Sequence, residues 1–126
     1  MTHDVATWLD HKEARIFQID PDGVEETTVT APLRNIHHKH PKGPEGVKEH
    51  PDDAKRFFQE VARSLEGADR LLIMGPSTAK LEFVRYVRKN ERALAPKIVG
   101  VETVDHPTDV QLVAHARKSF LLLRRS

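Results

Sequence analysis

The sequence predicts a single mixed α/β domain, a five-stranded sheet with three helices in the order βββαβαβα. Three observations carry that expectation. Strand-like segments crowd the first 30 residues, amphipathic stripes at helical spacing follow, and short apolar runs separate those stripes. At 126 residues the chain is long enough to bury one core and too short for two, so residues 1–126 read as one domain.

Ala6-Thr7-Trp8-Leu9 and Ala14-Arg15-Ile16-Phe17-Gln18-Ile19 read as strands around a turn at Asp10-His11-Lys12-Glu13. Asp20-Pro21-Asp22-Gly23 is a second turn, because proline presets one central φ and glycine accepts a positive one. The β-branched run Val24 to Thr30 completes an antiparallel meander. Pro32, Pro41, Pro44 and Pro51 with Gly43 and Gly46 then exclude regular structure until a helix at about 51–66. Pro51 suits its first position, Ala54, Phe57, Phe58, Val61, Ala62 and Leu65 form its stripe, and Gly67 closes it.

Arg70-Leu71-Leu72-Ile73-Met74 is short and apolar enough to be a buried strand. Gly75-Pro76-Ser77 turns it into a second helix, at about 77–92, with Leu81, Val84 and Val87 on its inner face. Ile98 to Val104 reads as another buried strand. Pro107 leads into the last helix, at about 108–122, where Thr108 and Gln111 have capping-box spacing and Leu112, Val113, Ala116 and Phe120 supply the stripe. Apolar strands alternating with helices imply a partly parallel sheet covered on both faces.

Composition narrows the function classes. There is no cysteine, hence no disulfide or thiolate metal site, and no apolar run near the length of a membrane span or a signal segment, so a cytoplasmic protein with no membrane partner is expected. Net charge is +1 but unevenly spread: residues 1–30 set Lys12 and Arg15 against seven acids, whereas residues 71–100 hold six basic residues and two acids. Such polarity suits either a solvated basic helix face or a face that meets a polyanion.

Four of the eight histidines, His37, His38, His40 and His50, fall in the proline-rich stretch before the first helix. With Arg34, Lys39 and Lys42 they could form a basic contact loop or a solvated connector. With His106 they could form a metal site, although consecutive ligands on such a loop define no geometry. At Gly75-Pro76-Ser77-Thr78-Ala79-Lys80, free N–H groups, the helix dipole and Lys80 offer an anion seat; the alternative is a plain turn capped by Ser77 or Thr78. It is not a nucleotide-hydrolysing P-loop, which needs a second glycine and a Lys-Ser/Thr pair. Asp10, Glu102 and Asp105 invite comparison with metal-holding nuclease carboxylates but read more simply as turn and strand-end acids.

A meander followed by αβαβα outlines the ribonuclease H-like architecture. Within it, Leu72-Ile73-Met74-Gly75-Pro76-Ser77-Thr78-Ala79-Lys80, continued by Phe83 and Tyr86, resembles the strand, Gly-Pro-Gly, Lys and helix segment of the middle domain of Pelota and class 1 peptide chain release factors, with Ser77 in place of the second glycine. Through Trp8-Leu9-Asp10-His11, Lys97 to Glu102 and Asp105-His106-Pro107-Thr108-Asp109, the whole chain is similar to small bacterial proteins known only as translational machinery proteins. The resemblance implies a translational machinery component fold and a Pelota-like meeting with the translation apparatus. Release factors hydrolyse peptidyl-tRNA through a Gly-Gly-Gln loop, whereas the glutamines here are Gln18, Gln59 and Gln111, none in that loop.

The expected function is therefore a noncatalytic RNA- or ribosome-associated module with no cofactor and no assigned catalytic residue. Its contact set would be Arg34, His37, His38, Lys39, His40, Lys42, Ser77, Thr78, Lys80, Arg85, Arg88, Lys89 and Arg92. The alternative is a metal-dependent hydrolase or metal-binding protein using His37, His38, His40, His50 and His106. Oligomeric state and the RNA or ribosomal state bound are left open by the sequence.

Overall fold

The computed structural model describes residues 3–31 and 51–125. Strands β1 (Asp4–Leu9), β2 (Glu13–Asp20) and β3 (Gly23–Thr30) precede α1 (Pro51–Ser64), β4 (Arg70–Gly75), α2 (Ala79–Asn90), β5 (Ile98–Thr103) and α3 (Asp109–Arg125). The sheet order is β3-β2-β1-β4-β5. The β1-β2 and β2-β3 pairs are antiparallel, and β1-β4 and β4-β5 are parallel. This is the mixed, ribonuclease H-like arrangement that the strand and helix patterns predict.

Local chemistry sets the boundaries. The Asp10 carboxylate accepts the backbone N–H groups of Lys12 and Glu13 at 2.8 and 2.9 Å, which closes the β1-β2 turn and commits that acid to it. Thr108 and Gln111 form the expected reciprocal cap of α3: the Gln111 N–H donates to the Thr108 hydroxyl and the Thr108 N–H to Oε1 of Gln111. Gly67, past the end of α1, takes φ +90° and is the only described glycine with positive φ. Gly23, expected to need one, simply pairs with Asp20 as the first residue of β3.

Alternation divides the core in two. On one face Val5, Leu9, Ile16, Leu71 and Ile73 meet Phe57, Phe58, Val61 and Leu65 of α1 and Phe83, Val84 and Val87 of α2. On the other, Ala6, Trp8, Phe17, Ile19, Leu72 and Met74 meet Leu112, Ala116 and Phe120 of α3. Every residue of β1 is buried. Its buried acid, Asp4, is bound in bidentate fashion by Arg70 at 2.8 Å, and the Arg70 guanidinium also lies over the Phe120 ring and donates to its carbonyl. That donation to Asp4 raises the Arg70 pKa against the opposing effect of burial.

Two expectations about packing are corrected. β5 is not buried: it is the sheet's edge, alternating half-buried and exposed, because no strand among the described residues pairs with its outer side and the helices sit over the inner strands. Leu81 is not on the inner face of α2 but 50% exposed; Ala79, Lys80, Phe83, Val84 and Val87 are inside. The aliphatic stem of Lys80 occupies the position that the apolar pattern assigned to leucine.

At Gly75 the parallel strands approach so closely that an added Cβ would collide with the Leu9 carbonyl oxygen, a backbone atom that cannot move aside alone. Gly75→Ala should therefore destabilise the fold by roughly 1–3 kcal/mol, as overpacking does. Gly23→Ala, with nothing within 4 Å of the new Cβ, should stay within about 0.5 kcal/mol of wild type. Urea midpoints at constant m-value test this, and equal midpoints for the two variants would refute it.

Candidate functional site

Because Lys80, Phe83, Val84 and Val87 turn α2 toward the sheet, its opposite side is fixed. Arg85, Arg88 and Lys89, with Arg92 just beyond the helix, all lie exposed. Arg85, Arg88 and Lys89, at offsets 0, 3 and 4, share one side of α2, and Arg92 follows past Glu91, where the backbone leaves helical geometry. None forms an ion pair among the described residues, whereas Arg15, Arg70, His11, His106 and His115 all face carboxylates. Arg88 and Lys89 also complement the negative end of the helix dipole, which accounts for cations in the last turn but not for Arg85 or Arg92. Arg63, in the last turn of α1, borders the same region. Tyr86 lies between: burial raises its hydroxyl pKa first, the Glu91 charge adds to this, and Arg63 opposes it.

The β4-α2 junction is arranged differently from the expected anion seat. Thr78 occupies the cap position without a side-chain cap, and its hydroxyl donates to Glu82 at 3.2 Å. Glu82 also meets Nε2 of His11 at 3.2 Å, so a carboxylate of the protein already lies beside the first turn. Lys80 is 5% exposed, and its ammonium donates back to the Ser77 carbonyl at 2.6 Å. It anchors the turn from inside, while Ser77 and Thr78 are exposed.

On the sheet's other face a cluster appears that sequence reasoning missed. The Trp8 indole N–H donates to the Asp105 carbonyl at 2.8 Å, the Arg15 guanidinium lies 4.5 Å over the Trp8 ring, and the His106 ring meets Trp8 edge-on at 5.3 Å. Arg15 donates to Asp109 at 2.7 Å and lies 3.5 Å from Glu13. The available signal was the hairpin register, which sets Arg15 opposite Trp8; the Asp109 partner, 94 residues away, has no local signature. With Arg15 so engaged, the cluster's evident role is to fasten the start of α3 to the sheet.

Beside it, Val104 to Pro107, Gln111, Leu112 and His115 line an open cleft of about 520 Å³. His106 pairs with Asp105 at 3.0 Å and His115 with Glu102. These are separate pairs, and no cluster of three or more histidine or acidic side chains able to hold a metal occurs among the described residues. Of the proposed ligands only His106 is described; His37, His38, His40 and His50, like Arg34, Lys39 and Lys42, lie outside the described residues.

The comparisons with known proteins agree with this architecture. No family model matches the chain. A Pelota homologue from Pyrococcus furiosus is 36% identical over 58 residues, which take in 41% of this chain and 16% of that protein. The solved Pelota of Archaeoglobus fulgidus superposes with a TM-score of 0.63 at 18% identity, covering 90% of this chain and 31% of that one. The archaeal translation termination factor aRF1 gives 0.55 at 14% identity, covering 96% and 39%. The chain is Pelota-like in its matched sequence and Pelota-like and release factor-like in its fold, and it spans 31% and 39% of these two solved proteins.

The cluster around Arg15 generates a pH prediction. Burial raises the Glu26 carboxyl above its ordinary 4.5, and its hydrogen bond and charge interaction with Asp109 add to the rise, against the lowering effect of Arg15. The folded state thus holds this proton more tightly than the unfolded chain, so the contribution is present below about pH 4.5 and is lost as pH rises through the elevated folded value. Glu26→Gln should therefore raise the thermal midpoint at pH 7 and lose that advantage toward pH 4. A difference between the proteins that does not change with pH would show that Glu26 is not the titrating group.

Proposed function

We propose that this chain is a noncatalytic module of the translation apparatus that contacts RNA phosphates, within a ribosome or a related particle, in the cytoplasm. The observation that carries the proposal is the exposed group Arg85, Arg88, Lys89 and Arg92, none of which forms an ion pair with an acid among the described residues. Exposed cations without ion pairs, three of them at helical spacing on a rigid element, are the electrostatic footprint of a polyanion contact. Likeness to a Pelota protein and to a translation termination factor supports RNA as that polyanion. Ser77, exposed at the opposite end of α2, can offer its hydroxyl to a phosphate further along, whereas the Thr78 hydroxyl is already donated to Glu82. The basic and histidine-bearing segment from Arg34 to His50 is a further candidate for it.

The absence of hydrolysis is part of the proposal. Gln18 lies within β2, Gln59 on the exposed side of α1, and Gln111 is held in the α3 cap. None sits in the stretch before α1, where a release factor-like water-positioning residue would be needed. The three described histidine-carboxylate pairs, His11 with Glu82, His106 with Asp105 and His115 with Glu102, are separate from one another.

The purified protein should co-sediment with ribosomal particles at about 50 mM salt and be released by about 500 mM, since displaced counterions drive phosphate contacts. An Arg85→Ala, Arg88→Ala, Lys89→Ala, Arg92→Ala variant should remain in the supernatant at both. Sedimentation of the variant like wild type would defeat the proposed contact. Multiple-turnover release of peptide from peptidyl-tRNA by the purified protein would defeat the noncatalytic reading.

A further inference from the structure

We infer that the α2 face reads double-helical RNA by its backbone, without regard to sequence, and discriminates against single strands. The inference rests on the reading of that face as an RNA contact and narrows its partner to one conformational class.

The first argument is an inventory that is complete for the chain. Its aromatic side chains other than histidine are one tryptophan, one tyrosine and five phenylalanines. Trp8, Phe17, Phe57, Phe58, Phe83 and Phe120 all lie in the core, none more than 7% exposed. Tyr86 is half-buried, its ring 5.9 Å from that of Phe58. Single-stranded RNA is held mainly by stacking its splayed bases on exposed aromatic rings, and its sequence is read from base edges presented that way. The fold has spent six of the seven rings on its own interior, and the seventh, Tyr86, packs against Phe58 with only part of its surface exposed. The described exposed histidines offer no substitute beside the basic row: His106 and His115 are paired with carboxylates on the α3 side of the sheet, and His11 is held by Glu82 at the far end of α2.

The second argument is charge density. Arg85, Arg88 and Lys89 span about 6 Å of α2 at helical rise, and Arg92 follows past the helix end. Over that length a duplex presents about three or four phosphates from its two strands, and one strand presents about two. Three cations on a rigid helix are thus matched by the duplex and exceed what one strand supplies. Glu82, the acid of the first turn, is drawn aside to Thr78 and His11, and Glu91, half-buried at the helix end between Lys89 and Arg92, forms no ion pair with either among the described residues.

The experiment uses the full chain and fluorescence anisotropy with a labelled RNA duplex of about 20 base pairs, each of its single strands, and a duplex of unrelated sequence. The duplexes should bind within about twofold of each other and on the order of tenfold more tightly than either strand at 100 mM salt. With about four phosphates neutralised, duplex affinity should fall on the order of 100-fold between 50 and 200 mM salt. The Arg85→Ala, Arg88→Ala, Lys89→Ala, Arg92→Ala variant should lose most of that salt dependence, and circular dichroism establishes that it is folded. Equal or tighter binding of the single strands, or a strong preference between the duplexes, would overturn the inference while leaving the RNA contact standing. No binding of any RNA, together with unchanged ribosome sedimentation of the variant, would overturn the underlying reading as well and assign the face to an acidic protein surface.

Discussion

A strand with no exposed residue must be paired on both edges and covered on both faces, and β1 is such a strand. Its antiparallel partner β2 arrives through a tight turn, but the parallel partner β4 can reach the other edge only after a crossover, which α1 provides. Covering both faces then requires helices on opposite sides: α1 and α2 over Val5 and Leu9, α3 over Ala6 and Trp8. The orientation of α2, and with it the outward direction of Arg85, Arg88 and Lys89, follows from the demand that Phe83 and Val87 close the first of these layers. The candidate interface is thus a consequence of how the central strand is buried.

Burial of that strand raises a second demand, since polar groups taken out of water must find partners. Arg70 satisfies Asp4 and stacks on Phe120, Trp8 donates to the Asp105 carbonyl, and the Thr7 hydroxyl donates to the Arg15 carbonyl. No buried side-chain polar atom among the described residues lacks a partner. Most of these bonds join segments far apart in sequence, so they select one docking of α3 on the sheet where apolar contact alone would tolerate sliding.

This division between local and distant determinants accounts for what the sequence discloses. Strand alternation, the apolar stripes, the α3 capping box and the order of elements are local patterns, and each is legible from a window of several residues. The exposure of β5 is not, because Ile98 to Val104 has the same apolar composition whether another strand lies beyond it or solvent does. The facing of α2 is ambiguous for a related reason: sets containing Leu81 or Lys80 both have helical spacing with Val84 and Val87, and only packing shows that a lysine stem is inside. The cluster of Arg15, Glu26 and Asp109 depends on β2, β3 and α3 meeting, which no local pattern encodes. The exposed basic row was legible because it follows from helical spacing and charge alone.

The sheet's two edges are each guarded against pairing with a further strand. β3 is almost wholly exposed but carries Glu25 and Glu26, and acids along an edge discourage another strand from pairing there. β5 exposes Val99 and Val101, yet its pairing with β4 shifts register between Leu71 and Leu72, and such an irregularity twists an edge away from flat pairing. Charge also distinguishes one side of the described fold from another, through the acids of the meander and the cations of α2, while α3 exposes Val110 and Leu121 to Leu123. A net charge of +1 conceals that separation, because the two regions nearly cancel in the total. A partner close to the surface responds to the local field, since at physiological salt charges beyond about 8 Å are largely screened. An approaching polyanion therefore meets the cations of α2 as a basic surface, largely independent of the acids on the distant edge strand.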